Sequence, residues 1–528
     1  MRTTNKSNKV GRLLQGAVAL LAAMLGGAAS AAVPGITGPA FSLSAGEAYI
    51  TQPDGASIYS WGYGCQATPT GFVPSAISGT CSDMQIPGPT LIVTEGDMVT
   101  VTLTNNLPAT AGSTSILFPG FDVTATGGKT GLLTTEAANK TCGAGCNTVT
   151  YTFVANAVGT HAYYSGTQGD LQIEMGMYGA VVVLPKTIPT ACMAGTLNDQ
   201  ARAAHQQTDF RLAPAAFNNP LACYDREYLF QFSEIDPHIH TQVESQKGAL
   251  CAQANGCLDV ETEPYHPAYY MINGRSMPDD MDPHYAVQYP HQPYNGNPHM
   301  HPGELVLLRV IGQGRWQHPF HEHGNHVRVL ARDGNLLLAR DPANPSQPDP
   351  LKRLAGPLLF TTTTTPGLAM DGIYQWTGKG LNWDVYGHGY DSDSTKCVPD
   401  SNGYYTSDPT ADNYYEWCAD HFKPLESKPF GQVGAGGPVT LPEPSLFVNG
   451  AWYGGSPYLG PDATGRAVGS TPIPPSGTVA NDPGTEAGFA YMWHSHNERE
   501  ITTDNIFPGG MLMMMLVDPW VFPIDESN

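Results

Sequence analysis

The chain has 528 residues, 41% of them hydrophobic and 14% charged, which allows two to four packed domains and excludes a disordered or fibrous protein. Its formal charge of −22 gives a surface that repels nucleic acid and attracts cations, so no nucleic-acid partner is expected.

The chain opens "MRTTNKSNKVGRLLQGAVALLAAMLGGAASAA", with Arg2, Lys6, Lys9 and Arg12 ahead of an apolar run and small residues. This pattern predicts a signal peptide over residues 1–32, cut near Ala31 or Ala32, and a secreted, periplasmic or extracellular protein. A membrane span needs roughly 20 continuous apolar residues, which neither this run nor any later one supplies, so no membrane insertion is expected. Losing the four leader cations takes the formal charge from −22 to −26.

The next block, to about residue 185, reads as short strands. In "PTLIVTEGDMVTVTLTNN", Val99, Val101 and Leu103 alternate with Thr100, Thr102 and Thr104, the period of a half-buried strand. "NTVTYTFVANAVGTHAYYSG" and "MYGAVVVLP" continue in that style. The 59 glycines and 45 prolines fit tight turns between such strands. We assign residues 33–190 to a first domain and 191–224 to a linker, in which "LNDQARAAHQQ" predicts one short helix.

A second strand-rich block runs through "REYLFQFSEID", "AYYMINGRSMP", "GELVLLRVIG", "HVRVLARDG" and "GPLLFTTTTTPG". It closes with "GFAYMWHSH" and "GGMLMMMLVDP". Residues 225–528 form the second domain, with a loop-rich insertion at about 380–485 that is full of Gly, Pro, Tyr and Asp. The ten cysteines fall in neighbouring pairs: Cys65/Cys81, Cys142/Cys146, Cys192/Cys223, Cys251/Cys257 and Cys397/Cys418. In an oxidising compartment these read as loop-stapling disulfides, although spacing alone leaves the connectivity open.

Histidine supplies the chemistry. Residues i and i+2 of a strand share a face about 6.5–7 Å apart, so His-x-His aims two imidazoles at one spot. The chain has four such pairs: His238/His240, His299/His301, His321/His323 and His494/His496. The first two lie in Pro-rich loops, "DPHIHTQ" and "NPHMHPGE", and suggest a second site. His321/His323 enters an apolar strand and His494/His496 leaves one. If both strands end on one rim, four imidazoles converge, and nitrogen-rich sites suit copper or, alternatively, zinc. Glu322 and Glu498 flank these pairs as orienting or solvated carboxylates. Met-rich "IEMGMYG" and "MLMMML" read as sandwich core, with soft copper binding the other option.

Several of these segments carry a resemblance to the multicopper oxidases. They are "IPGPTLIVTEGDMVTVTLTNNLP", "GMYGAVVVLP", "YMINGRSMP", "HPGELVLLRVIG", "HPFHEHGNHVRVLARDG" and "MWHSHN" with "GGMLMM". The resemblance implies an all-β fold of tandem cupredoxin-like Greek-key β-sandwiches. It implies that His318 is a ligand of a mononuclear blue copper site, with Met511 as its axial ligand. It further implies that His321, His323, His494 and His496 belong to a copper cluster that reduces oxygen.

The sequence also departs from that pattern. Leu117 and Pro119 in "LFPG", and Tyr164 and Gly166 in "YYSG", stand where four first-domain histidines belong. Ser495 replaces the blue-site cysteine and Glu500 the downstream histidine. A hydroxyl cannot supply the soft Cu–S bond that carries the electron. The expectation is a secreted copper oxidoreductase with a modified site that holds one copper or a close pair, acting on a small molecule or metal ion. His161 is a candidate replacement ligand. The alternatives are a non-catalytic periplasmic copper or zinc carrier, and a degenerate scaffold with an interaction role.

Overall fold

The computed structural model describes residues 33–69, 71–73, 79–143, 145–193, 195–251, 253, 256–381, 398–411, 413–419, 451, 455–458, 488–520 and 524. The expected leader and most of the expected insertion lie outside these residues.

Strands dominate the described chain, as the all-β reading requires, and they form two sandwiches. In the first, one sheet orders Gly159–Tyr164, Tyr178–Leu184, Leu91–Thr94, Gly35–Thr37 and Phe72–Val73. The facing sheet orders Ser57–Cys65, Ala40–Thr51, Met98–Asn105, Thr148–Val154 and Thr124–Gly127. The alternation seen in the sequence is realised in Met98–Asn105. Val99, Val101 and Leu103 are buried, and Val101 pairs with Tyr151 so that Val149, Tyr151 and Phe153 extend the same face. Each such side chain contributes roughly 1.5–3 kcal/mol on burial. On the other face Thr102 and Thr150 hydrogen-bond across the strands at 3.1 Å.

The second sandwich stacks a sheet ordered Tyr269–Ile272, Arg226–Ile235, Leu305–Gly312, Ala369–Gln375, Val327–Arg332 and Asn335–Leu336 on another. That other sheet is ordered His299–Met300, Leu512–Val517, Gly488–Ser495, His318–Glu322 and Thr361–Thr364. Phe230, Phe232, Leu308 and Val329 meet Phe320, Trp493, Met513 and Met515 between the layers. The Met-rich ends are therefore core, Met175 and Met177 in the first sandwich and Met511, Met513 and Met515 in the second.

The sandwiches are joined by a shared buried seam. Ala162 and Ala180 pack on Leu229, Ile311 and Ala369. Beside them Arg309 pairs with Glu227 and Asp371, and Asp371 also accepts from Thr160 of the first sandwich. Buried charges persist only when paired in this way.

Helix Leu197–Ala204 appears where "LNDQARAAHQQ" predicts it, started by a Thr196/Asp199 capping box. Helix Pro237–Gln246 differs from expectation, because "DPHIHTQ" reads as a loop. Asp236 caps it by accepting from the His238 N–H at 2.9 Å, and Pro237 preorganises its first turn. Helical geometry turns His238 outward and buries His240, so this His-x-His pair loses its common face.

Four disulfides match the expected pairs: Cys65–Cys81, Cys142–Cys146, Cys192–Cys223 and Cys251–Cys257. Cys418 is disulfide-bonded too, while Cys397 lies outside the described residues. No described helix is long and apolar enough to cross a membrane.

Candidate metal centre

The centre arises from strand register. His318–Glu322 runs antiparallel to Gly488–Ser495 with His321 directly opposite His494. Period-2 alternation then puts His323 and His496 on the same face, one step beyond each strand end. The rings converge. Centroid separations are 4.7 Å for His321–His323 and for His321–His496, 5.2 Å for His323–His494, and 5.6 Å for His321–His494 and for His494–His496. His321, His323 and His494 are buried and His496 is exposed, so the group opens to solvent on the His496 side. Phe360, 41% exposed, stands 5.6 Å from the His321 ring at this rim.

Neighbours fix the arrangement. The Tyr374 hydroxyl and Trp493 indole both donate to the His323 carbonyl, at 3.0 and 2.9 Å. His321 Nδ1 contacts Thr361 Oγ1 at 2.6 Å, and His494 Nδ1 contacts the Ser495 carbonyl at 2.6 Å. Burial, reinforced by His494 and His496, lowers the His321 pKa to about 4. Burial and His496 push His494 down as well. Both rings are thus neutral at physiological pH, the form that binds a metal.

The fit to a metal is partial in geometry and good in chemistry. His323 Nε2 and His494 Nε2 face each other at 3.2 Å. Two nitrogens each about 2.0 Å from a tetrahedral ion stand roughly 3.3 Å apart, so this pair matches two ligands of one metal. Among the described residues, no three His, Cys, Asp or Glu side chains form a finished metal cage. A third imidazole must turn toward the pair.

The opposite face of the same strands holds different chemistry. His318 and Phe320 point into the sandwich, where Ser495 pairs with Phe320. His318 Nδ1 lies 2.9 Å from Glu500 Oε2, and its Nε2 lies 2.9 Å from Glu234 Oε2. Ser495 Oγ donates to the same Glu500 oxygen. Burial alone would lower the His318 pKa, but the two carboxylates outweigh it and push it up to about 9. His318 is therefore an imidazolium with both nitrogens committed, which removes the copper-ligand role that the resemblance implied. Met511 is fully buried in the apolar core of the second sandwich.

The other expected ligands also stand apart from the four rings. His240 is committed to the Tyr59 and Glu174 carbonyls at 2.6 and 3.1 Å. His299 lies on the edge strand His299–Met300 and His301 just beyond its end, with two strands between that edge and His318–Glu322. His301 is held by the Asp518 carbonyl and Gln207 and stacks on Trp520 at 4.4 Å, while His299 binds the Asp518 carboxylate at 2.7 Å. His161 is buried against Phe121 and hydrogen-bonds to the Ala157 carbonyl. Glu322 faces the core, bonded to Thr362, and burial raises its pKa to about 8. It does not orient the imidazoles. Glu498 is exposed. Leu117 bridges Tyr164, and a Cβ at Gly166 would come within 2.8 Å of Leu117 Cγ, so packing has closed the first-domain histidine positions.

Sequence reasoning missed Glu234, Tyr265 and Glu174. Tyr265 OH donates to Glu174 at 2.6 Å and lies 3.3 Å from Glu234. The available signal was acidic Glu227 and Glu234 in a strand, Arg226–Ile235, whose Tyr228, Leu229, Phe230 and Phe232 mark it as core; it is buried throughout. A buried acid needs a partner, and here the partner is His318.

Residues 67–188 match the family model described as multicopper oxidase. No curated protein matches the sequence. Among solved structures, the multicopper oxidase mgLAC aligns over 92% of this chain and 87% of its own, at 16% identity and TM-score 0.44. A blue copper oxidase from Nitrosomonas europaea aligns over 90% and 85%, at 16% identity and TM-score 0.41. A copper nitrite reductase from Nitrosomonas europaea aligns over 64% and 85%, at 17% identity and TM-score 0.35.

Proposed function

We propose that this chain is a secreted, multicopper-oxidase-like copper protein with one modified copper site at His321, His323, His494 and His496. It acts as an oxidoreductase on a small-molecule or metal-ion donor. The observation that carries this reading is the His321–His494 register, which gathers four imidazoles, at least two of them held neutral, at an open rim. The leader pattern supports a periplasmic or extracellular location.

Copper bound there would supply one-electron redox chemistry with a coordination position left for a small ligand. The chain's own residues set the terms. His323 and His494 present the facing nitrogens, Tyr374 and Trp493 anchor the His323 backbone, and His496 guards the mouth. Ser495 offers no thiolate, so the intense colour and the electron route of a blue centre are not expected.

The test is copper loading of the secreted protein, with metal analysis and electron paramagnetic resonance. Stoichiometric cupric ion in a nitrogen-ligand environment, with oxidation of a phenolic, cuprous or manganous donor, is the expected result. Copper that binds without any turnover would favour a carrier, and protein that takes up no copper refutes the site.

A further inference from the structure

We propose that His326 is the entry ligand of the four-imidazole site, taking a copper ion at the rim and passing it to His321 past the ring of Phe360. This rests on the copper reading above. It adds a fifth imidazole, outside the His-x-His pairs, that acts while the site is being loaded and not in the loaded state.

The backbone holds His326 close to the site. It closes the short bend that follows His323. Gly324 has φ +100°, and a Cβ there would lie 2.4 Å from the Tyr374 hydroxyl, so the bend keeps one shape. Asn325 pins it further. Its amide donates to the Gln375 carbonyl at 2.8 Å, and its side-chain oxygen accepts from the His326 N–H at 2.8 Å. The His326 ring itself is half-buried, and among the described residues neither of its nitrogens has a hydrogen-bond partner. That separates it from His161, His240, His299, His301 and His318, each of which has a ring nitrogen engaged by a protein oxygen. An uncommitted imidazole is a ready metal ligand.

Phe360 connects this ring to the site. Its centroid is 5.1 Å from that of His326 and 5.6 Å from that of His321, with the planes steeply inclined in both contacts. It stands at the bend where the chain leaves strand Leu358–Leu359 of one sheet for Thr361–Thr364 of the other. The Glu322 N–H donates to the Phe360 carbonyl at 3.1 Å, which fixes this backbone against the strand that carries His321. Leu359 packs on the core, whereas Phe360 packs on the two imidazoles and is 41% exposed. A side chain with that much open surface changes rotamer readily, on a picosecond-to-nanosecond scale. The phenyl ring is therefore a shutter over His321, and His326 is the ligand outside it.

The transfer is a ligand exchange with no redox step. A ring nitrogen of His326 displaces one water from the hydrated ion, His321 then displaces His326, and the charge of the ion is unchanged throughout. The strongly acidic chain draws cations to its surface before either step.

The experiment loads the secreted protein with cupric ion in a stopped-flow instrument. Quenching of tryptophan fluorescence follows uptake, since the Trp493 indole is bonded to the His323 carbonyl. Chelator competition measures the equilibrium affinity separately. His326→Ala should slow uptake, and removal by chelator, about tenfold each, the low end of the range over which association rates vary among variants of one binding surface. Phe360→Ala should speed both by a similar factor. Affinity and stoichiometry should keep their wild-type values in both variants, because an entry ligand changes the path and not the end state. His238→Ala, which removes an exposed histidine of helix Pro237–Gln246, should change nothing. If His326→Ala disturbs the bend, His326→Gln keeps more of the side-chain volume and tests the same loss. Wild-type rates in the His326 variants or in Phe360→Ala overturn this proposal and leave the site standing. A fall in affinity also overturns it, by making His326 a resident ligand. Wild-type protein that takes up no copper overturns the copper reading first, and this proposal with it.

Discussion

The His318 ion cluster makes a quantitative stability prediction. A histidine carried from an ordinary 6.5 up to about 9 by two buried carboxylates gains roughly 3 kcal/mol, at about 1.4 kcal/mol per tenfold change. Because the folded pKa is raised, that stabilisation is fully present below pH 6.5 and is lost as pH climbs through 9. Glu234 and Glu500 each supply one 2.9 Å hydrogen bond, so Glu234→Gln should remove about half of this stabilisation at pH 6. At pH 10, with the ring neutral in both proteins, the difference should fall to nearly nothing or change sign, because wild-type Glu234 then sits buried without its cation. Urea unfolding followed by the fluorescence of Trp493, fully buried in this core, reads the loss of the second sandwich. An equal loss of stability at pH 6 and pH 10 would refute the assignment of an imidazolium to His318.

Three further outcomes bear on the copper site and one on the packing around its lost partner positions. His323→Ala should weaken cupric binding by more than about a hundredfold, beyond the effect of losing an outer-sphere partner, as measured by competitive chelator titration. Copper uptake should persist from neutral pH down to about pH 5 and fail near pH 4, where His321 takes up its proton, as followed by metal analysis after dialysis. Ser495→Cys alone should stay free of an intense visible band after copper loading, because both nitrogens of His318 remain bound to carboxylates. Gly166→His should lower the stability of the first sandwich by about 1–3 kcal/mol in calorimetry, since its Cβ meets Leu117.

The sequence by itself determined the strands, the loop staples and the grouping of the histidines, because these follow from short-range rules. Val99, Val101 and Leu103 alternate with threonines, and that period admits one buried face. His321/His323 and His494/His496 carry the same period, so a shared face within each pair was legible before any coordinate. The same rule places His318, an odd number of residues from His321, on the other side of the strand. The Pro237–Gln246 helix was missed because its cap and proline compete with a loop-like composition, and local geometry there reversed the meaning of His238 and His240.

Only the tertiary structure decided what those imidazoles meet. Whether His321 lies opposite His494 depends on the pairing of strands more than 170 residues apart, which no local pattern encodes. The fate of His318 depends on Glu234 and Glu500, which arrive from another sheet and from beyond the closing strand. Charge and burial act through space, so the difference between a metal-binding neutral ring and a locked cation arises only when distant segments are packed together.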